Sequence, residues 1–256
     1  MLSLNRWLLL GMTAAAALNV PSIALAADGG TIEGQVVFDG TPPELPPKVM
    51  KGDPTAKDAQ VCAADDVPDE SLVVDPATKG IANVVVYLRK APANIPADLK
   101  KSKEKEVVLD QKGCRYFPHV IALRTDQSLK CISNDAVAHN VHIKPLANDA
   151  KNFVVSPNDH QGTLVSLTKA ETLPVNVNCD IHPFMQAYCV ITDHPYVAVT
   201  DKEGKFKIEG LPPGEHSFTV WQEKSGYIER ALKVTVKAGS QTIPTIKAPA
   251  AKFDKK

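Results

Sequence analysis

The stretch Asn178-Cys179-Asp180-Ile181-His182-Pro183-Phe184-Met185 places a thiol, an imidazole and a thioether at three-residue intervals. Together with a second imidazole, these donors would form a trigonal His2Cys plane with a weak axial methionine, an arrangement that binds copper. The sequence His139-Asn140-Val141-His142 offers that imidazole, because His139 precedes Cys179 by 40 residues. This separation suits two neighbouring strand ends of one small β-sandwich. The pattern therefore indicates a metal centre with three donors from one loop and His139 as the candidate for the fourth.

Each candidate ligand also has a structural alternative when it is taken alone. Cys179 could be one half of a disulfide or a buried core thiol, and Met185 could serve core packing. Only Met50 and Met185 remain once residues 1–26 are set aside. A methionine at the axial offset is then less easily explained by chance, so the joint pattern favours the metal centre.

The two motifs resemble those of cupredoxins of the amicyanin type, over residues 105–193. The resemblance implies a Greek-key β-sandwich that binds one type 1 copper ion. The implied ligands are His139, Cys179, His182 and Met185, while His142 would not be a ligand. Asn140 would hold the ligand loops together by hydrogen bonds near the thiolate.

The resemblance also implies a function. A site whose coordination positions are all filled by protein leaves none for substrate, unlike catalytic metal sites. We therefore expect an electron carrier and not an enzyme. Its partners would be a redox protein donor and acceptor, with a dehydrogenase and a cytochrome as candidates. Electrons would enter and leave through His182, at an apolar edge of the protein. The alternatives are a copper enzyme, a non-redox binding or structural module, and a copper-storage protein.

The pattern of residues 106–193 is β throughout. Short strands recur every 8–12 residues between turn residues, which is typical of an all-β sandwich. Only residues 149–159 are expected to be irregular. Residues 41–68 are rich in Pro, Lys and Asp without an apolar period, so they predict a surface loop.

The C-terminal part contains Thr200-Asp201-x-x-Gly204-x-Phe206, followed by Leu211-Pro212-x-Gly214. These motifs resemble the carboxypeptidase-regulatory or transthyretin-like β-sandwich. The resemblance implies a discontinuous domain of residues 27–90 and 194–247, with the copper-binding domain inserted. Two tandem sandwiches are the alternative. The Lys- and Ala-rich residues 248–256 are predicted to be disordered.

Residues 1–26 have the features of a signal peptide: Arg6, an apolar run from Trp7 to Val20, and Ala24-Leu25-Ala26 as the cleavage site. They predict a periplasmic or secreted protein without a membrane span in the mature chain; an uncleaved anchor is the alternative. The 29 basic and 29 acidic residues balance each other. Nucleic acid is therefore not an expected partner.

An exported protein can form disulfides, and four cysteines remain besides Cys179. Cys62 and Cys114 both lie beside loop signals at the margins of the copper-like region, and we predict that they pair. Cys131 and Cys189 lie within strand patterns. They could form a second disulfide, or they could be buried free thiols.

Overall fold

The computed structural model describes residues 29–254, so the predicted signal peptide lies outside the described residues. The chain is almost entirely β, as the sequence predicts. One four-residue helix, α1 (Ala59–Cys62), and two 3₁₀ turns, Ala97–Leu99 and Ala250–Lys252, accompany the strands. The strands are β1 (Gly30–Asp39), β2 (Val85–Leu88), β3 (Glu106–Gln111), β4 (Tyr116–Phe117), β5 (Val120–Arg124), β6 (Ser128–Ser133), β7 (His139–Ile143), β8 (Lys151–Val155), β9 (Thr163–Ser166), β10 (Val175–Asn178), β11 (Gln186–Thr192), β12 (Val197–Val199), β13 (Lys205–Leu211), β14 (Gly214–Gln222), β15 (Gly226–Val236), β16 (Gly239–Thr242) and β17 (Ile246–Pro249).

The first and last strands form one sandwich, which we call the outer sandwich. In one sheet β1 pairs antiparallel with β13 and parallel with β16 and β17. The other sheet has the order β12-β2-β14-β15. Side chains from both sheets, such as Val36, Phe206 and Phe218, share one buried core.

The middle strands form a second sandwich, which we call the inner sandwich. Its sheets have the orders β5-β11-β10-β7-β8 and β4-β3-β6-β9. They enclose a separate core that includes Leu109, Leu129, Val141 and Val177. The chain thus leaves the outer sandwich after β2, builds the inner one, and returns to the outer one at β12.

Strand β2 is buried on both faces, as its continuous β-branched sequence predicts. Val86 and Leu88 point into the core of the outer sandwich. Val85 and Tyr87 lie on the opposite face and contact a cluster that includes Val190 of the inner sandwich. One strand therefore serves both the core of its own sandwich and the interface between the two.

The motif Thr200-Asp201-x-x-Gly204 closes the turn between β12 and β13. The Asp201 carboxylate accepts hydrogen bonds from the backbone amides of Glu203 and Lys205, both at 2.9 Å. Gly204 has φ +75°, and a Cβ there would lie 2.3 Å from the carbonyl oxygen of Val36. Glycine is required at this position both by the left-handed conformation and by the close approach of β1.

The prediction that residues 149–159 are irregular is wrong, because β8 lies within them and pairs antiparallel with β7. β8 is an edge strand, and Val154 on it is 62% exposed. Because Val154 faces solvent, the sequence of β8 lacks the usual alternation of buried apolar and exposed polar residues. Asn, Asp and Pro residues on both sides add to its loop-like composition.

The prediction of a disordered tail is also wrong for the described residues 248–254. β17 pairs with the second half of β1, where Val36 lies opposite Ile246. Phe253 is buried against Phe38, with ring centroids 5.0 Å apart. One aromatic side chain and a strand register fix a segment whose overall composition is that of a flexible tail.

Within residues 29–254, no helix is long and apolar enough to cross a membrane.

Candidate metal centre

The strand order of the inner sandwich brings the two sequence motifs together. β10 pairs antiparallel with β7, which begins at His139, and also with β11. Cys179 follows the last residue of β10, and Met185 precedes the first residue of β11. The segment from Cys179 to Met185 is therefore the loop of a β-hairpin, and His139 lies on the neighbouring strand. This confirms the expectation of neighbouring strand ends.

Backbone hydrogen bonds make this loop compact. The amide of Cys179 donates to the carbonyl of Met185 at 3.3 Å, and the amide of Met185 donates to the carbonyl of His182 at 2.9 Å. The Cys179 sulfur accepts from the backbone amides of His182, at 3.3 Å, and Asn140, at 3.4 Å. Amide donors aimed at sulfur favour the thiolate over the thiol.

The two imidazoles face each other beside that sulfur. The Nδ1 atoms of His139 and His182 are 3.0 Å apart, and the Cys179 sulfur lies 3.8 Å from Nδ1 of His182. Both rings are fully buried, and Cys179 is 1% exposed. Three nitrogen and sulfur donors therefore converge in a pocket without solvent contact.

Each imidazole contacts a carboxylate through Nε2, the ring nitrogen that faces away from the pocket. Nε2 of His139 lies 2.7 Å from Asp135, and Nε2 of His182 lies 2.9 Å from Asp58. An ionised carboxylate only accepts hydrogen bonds, so both Nε2 atoms carry the proton. In its neutral form, each ring then keeps the lone pair of Nδ1 available for a metal ion.

The environment of the pocket favours the charged forms of Cys179, His139 and Asp135. Burial alone would raise the pKa of the Cys179 thiol, but hydrogen bonding with the His139 and His182 rings and with two backbone amides lowers it to about 6. Burial alone would lower the pKa of His139, but Asp135 and Cys179 raise it to about 9. Hydrogen bonds from His139 and two backbone amides outweigh burial and hold the pKa of Asp135 below its usual value.

Met185 lies in the same core cluster as Cys179 and is 2% exposed. His142 lies on the other side of β7, because His139, Val141 and Ile143 point inward along the strand. Its ring instead contacts Asp180 at 3.0 Å. The structure thus groups His139, Cys179 and His182 and keeps His142 apart from them.

Asn140 ties the ligand segments together. Its side-chain oxygen accepts from the backbone amide of Asp180, the residue after Cys179. Its side-chain nitrogen donates to Asn152 on β8. With the backbone amide of Asn140 directed at the thiolate, the residue links three elements around the pocket.

His182 does not lie at an exposed edge, so that expectation is wrong. Residues 41–68, which we call the strap, fold over the loop and bring Asp58 to its ring. Phe184 contacts an apolar cluster of the strap, formed by Val49, Ala63 and Val67. The sequence of the strap has no apolar period and does not indicate its packing on the loop, because only these few apolar side chains hold it in place.

The predicted Cys62–Cys114 disulfide is confirmed, and it joins the strap to the inner sandwich. Its cysteines lie beside the pocket, since the sulfur atoms and a ring nitrogen of His182 fall within 4.8 Å of one another. Cys131 and Cys189 are buried free thiols. Of the two alternatives for this pair, the structure thus favours free thiols.

Sequence patterns did not single out Asp58. Asn134-Asp135 is cupredoxin-like in its placement, but this likeness assigns Asp135 no role toward a metal ligand. Asp135 precedes His139 by four residues, a spacing too common to be informative. Asp58 is 124 residues from His182 along the chain. A carboxylate in a surface loop carries no signal for such a distant contact.

The residues of the pocket fit a copper ion. Two imidazole nitrogens and a thiolate sulfur converge, and a buried thioether belongs to the same loop. Soft sulfur and imidazole donors favour copper over hard cations. His139, Cys179 and His182 would hold it, and the Met185 thioether is the candidate for a fourth donor.

No protein-family model matches the sequence, and no curated protein matches it. Among solved structures, the chain is similar to amicyanin from Paracoccus versutus, with 19% identity and a TM-score of 0.29; 43% of this chain and 98% of that one are covered. A reduced amicyanin variant has 18% identity and a TM-score of 0.30, with 38% of this chain and 96% of that one covered. A copper-containing nitrite reductase from Thermus scotoductus has 18% identity and a TM-score of 0.29, with 39% and 25% covered.

Proposed function

We propose that this chain is an exported protein that binds one type 1 copper ion and passes single electrons between redox proteins. The ligands are His139, Cys179, His182 and Met185. The observation that carries the proposal is the convergence of two Nδ1 atoms, 3.0 Å apart, and the Cys179 sulfur in one buried pocket.

When bound, copper supplies a one-electron couple between Cu(II) and Cu(I). The protein's part is to hold the ligands in one arrangement that suits both states. Asp135 and Asp58 accept hydrogen bonds from the imidazoles, and the amides of Asn140 and His182 donate to the thiolate. With the ligands fixed in this way, little has to move when an electron arrives.

The same features favour electron transfer over catalysis. The four ligands would fill the coordination shell, and the pocket excludes water because His139 and His182 are fully buried. A catalytic metal centre keeps one position for water or substrate. We therefore propose a carrier and not an enzyme, with a dehydrogenase and a cytochrome as candidate donor and acceptor.

Two observations support a periplasmic or secreted location. Residues 1–26 have the pattern of a cleavable signal peptide. The Cys62–Cys114 disulfide is suited to an oxidising compartment.

We assign the outer sandwich to the carboxypeptidase-regulatory or transthyretin-like type. The strap connects its strands β1 and β2 in the sequence, so this domain supplies Asp58 to the metal centre.

The proposal is tested by adding Cu(II) to the purified protein without residues 1–26 and recording visible and electron paramagnetic resonance spectra. We expect an intense thiolate-to-copper band that is bleached reversibly by a reductant. Cys179→Ser should abolish the band, while His142→Ala, a change on the opposite face of the same strand, should retain it. Copper binding without the band would contradict the proposal.

A non-redox binding module is the second candidate. A groove of about 550 Å³ on the outer sandwich is lined by polar and apolar side chains, among them Gln35, Phe206 and Lys207. Such a groove suits a small ligand. Reversible redox cycling of bound copper would favour the carrier over this module.

A further inference from the structure

The strap is not part of the inner sandwich, yet it brings one carboxylate into contact with a candidate metal ligand. Asp58 lies between β1 and β2 in the sequence, yet its Oδ2 atom contacts Nε2 of His182 at 2.9 Å. His182 is fully buried, while the Asp58 side chain is 32% exposed. The carboxylate is therefore the outermost group of the chain Cys179–His182–Asp58.

The strap holds Asp58 in a defined position. Asp58 has φ +54° and caps α1, since its carbonyl accepts from the amides of Val61 and Cys62, both at 2.9 Å. The disulfide from Cys62 to Cys114 then fixes the end of α1 to the inner sandwich. A helix cap on one side and a covalent bond four residues later leave the carboxylate little freedom.

Orientation of His182 follows from this contact. Its ring can be protonated on either nitrogen, and only the form with the proton on Nε2 leaves Nδ1 free to bind a metal. The Asp58 carboxylate accepts a hydrogen bond from Nε2 and so selects this form. Phe184 packs beside the ring, with centroids 5.9 Å apart, and limits its rotation.

We propose that Asp58 is a positioning residue for His182, so that the strap is a working part of the metal centre. This inference rests on the proposed function, because it assigns Asp58 a role toward the copper ligand. Its negative charge beside the ligand also stabilises Cu(II) more than Cu(I), which lowers the reduction potential.

Two substitutions separate the contributions of orientation and charge. Asp58→Asn keeps a side-chain oxygen that accepts from Nε2 but removes the charge. Asp58→Gly removes the side chain altogether, and glycine adopts the left-handed conformation of this position without strain. Asp53→Asn is the matched control, because it removes the same charge from a partly exposed strap residue whose carboxylate hydrogen-bonds only to Thr55.

The first measurement uses metal-free protein. We expect nitrogen-15 chemical shifts to show His182 protonated on Nε2 in the wild type and in Asp58→Asn. In Asp58→Gly a mixture of both tautomers should appear. Asp53→Asn should match the wild type.

The second measurement uses the copper-loaded protein. Loss of an outer carboxylate partner typically weakens metal binding about 10–100-fold, and we expect this for Asp58→Gly in competition with a chelator. Both Asp58 variants should lose Cu(II) affinity about tenfold more than Cu(I) affinity, which raises the reduction potential by about 59 mV.

Unchanged tautomer, affinity and potential in both Asp58 variants would overturn the inference. Failure of the proposed function is distinguishable. In that case the wild type would lack the thiolate-to-copper band, while the tautomer of metal-free His182 would still decide the role of Asp58.

Discussion

His139 and His182 face each other through their Nδ1 atoms at 3.0 Å, and each ring presents its Nε2 atom to a carboxylate. With both Nε2 atoms protonated, only one of the facing Nδ1 atoms can carry a hydrogen. The raised pKa of His139, about 9, assigns that hydrogen to its ring. A proton thus lies where the two histidines would share a metal ion.

Copper binding should displace this proton. Between the pKa of Cys179, about 6, and that of His139, about 9, the thiol is already ionised and one ring proton remains. Addition of Cu(II) at pH about 7.5 should release about one proton per ion, measured with a pH indicator in weak buffer. Copper binding without proton release would contradict the assigned protonation states, and His142→Ala should behave as the wild type.

The thiol of Cys179 should titrate apart from the other free cysteines. Burial raises the pKa of Cys131 to about 12 and raises that of Cys189 as well. In metal-free protein, the ultraviolet absorbance of thiolate should therefore rise as the pH passes through about 6, and this step should be missing in Cys179→Ser. A step only above the ordinary thiol pKa of about 8.5 would show that the imidazoles and amides do not stabilise the thiolate.

His119 should make the stability of the chain pH-dependent. Burial alone would lower the pKa of His119, but Glu223 at 2.9 Å raises it, with Glu70 assisting and Arg115 opposing. A raised pKa in the folded state gives stability that is complete below the unfolded pKa of about 6.5 and is lost as the pH rises through the folded value. Denaturant unfolding should show the wild type losing stability in this window, and His119→Gln should lose less. An equal loss in both proteins would contradict the assignment.

Gly204 should be the more sensitive of two glycines with similar backbone conformations. Gly204 has φ +75° and Gly226 has φ +70°, but only at Gly204 would a Cβ meet the backbone of β1. Gly226→Ala should cost about 1 kcal/mol, the penalty for the left-handed conformation. Gly204→Ala should cost about 1–3 kcal/mol more in denaturant unfolding, because the strands must move apart. Equal costs would mean that β1 yields without penalty.

Local patterns were sufficient to predict much of this chain. The motif from Cys179 to Met185 lies beside His139 because β7 and β10 are neighbours. The separation of 40 residues between His139 and Cys179 predicts such neighbouring strand ends. The β-branched residues of β2 likewise indicate a strand that is buried on both faces. In both cases, the information lies in one or two short stretches of sequence.

The features that were missed depend on contacts between distant segments. Nothing around Asp58 indicates a partner 124 residues away, so His182 was expected at an exposed edge. β8 has an exposed valine where a buried one would be expected. The tail is ordered through Phe253, whose partner Phe38 lies at the other end of the chain. Such contacts are set by the tertiary structure and leave no local pattern.

The chain connectivity also constrains the order in which the two sandwiches can fold. Ile81 and Thr200 are joined by a hydrogen bond although they are 119 residues apart, and β1 pairs with β13 across a still longer separation. During synthesis from the N-terminus, β1 and β2 must therefore wait for their partners until the whole inner sandwich has been made. Long-range strand pairing is slow, because the loop must be closed before the contacts form. The inner sandwich can fold first, which brings the two halves of the outer sandwich close together. Its folding then reduces the length of flexible chain that must be closed before the outer strands pair.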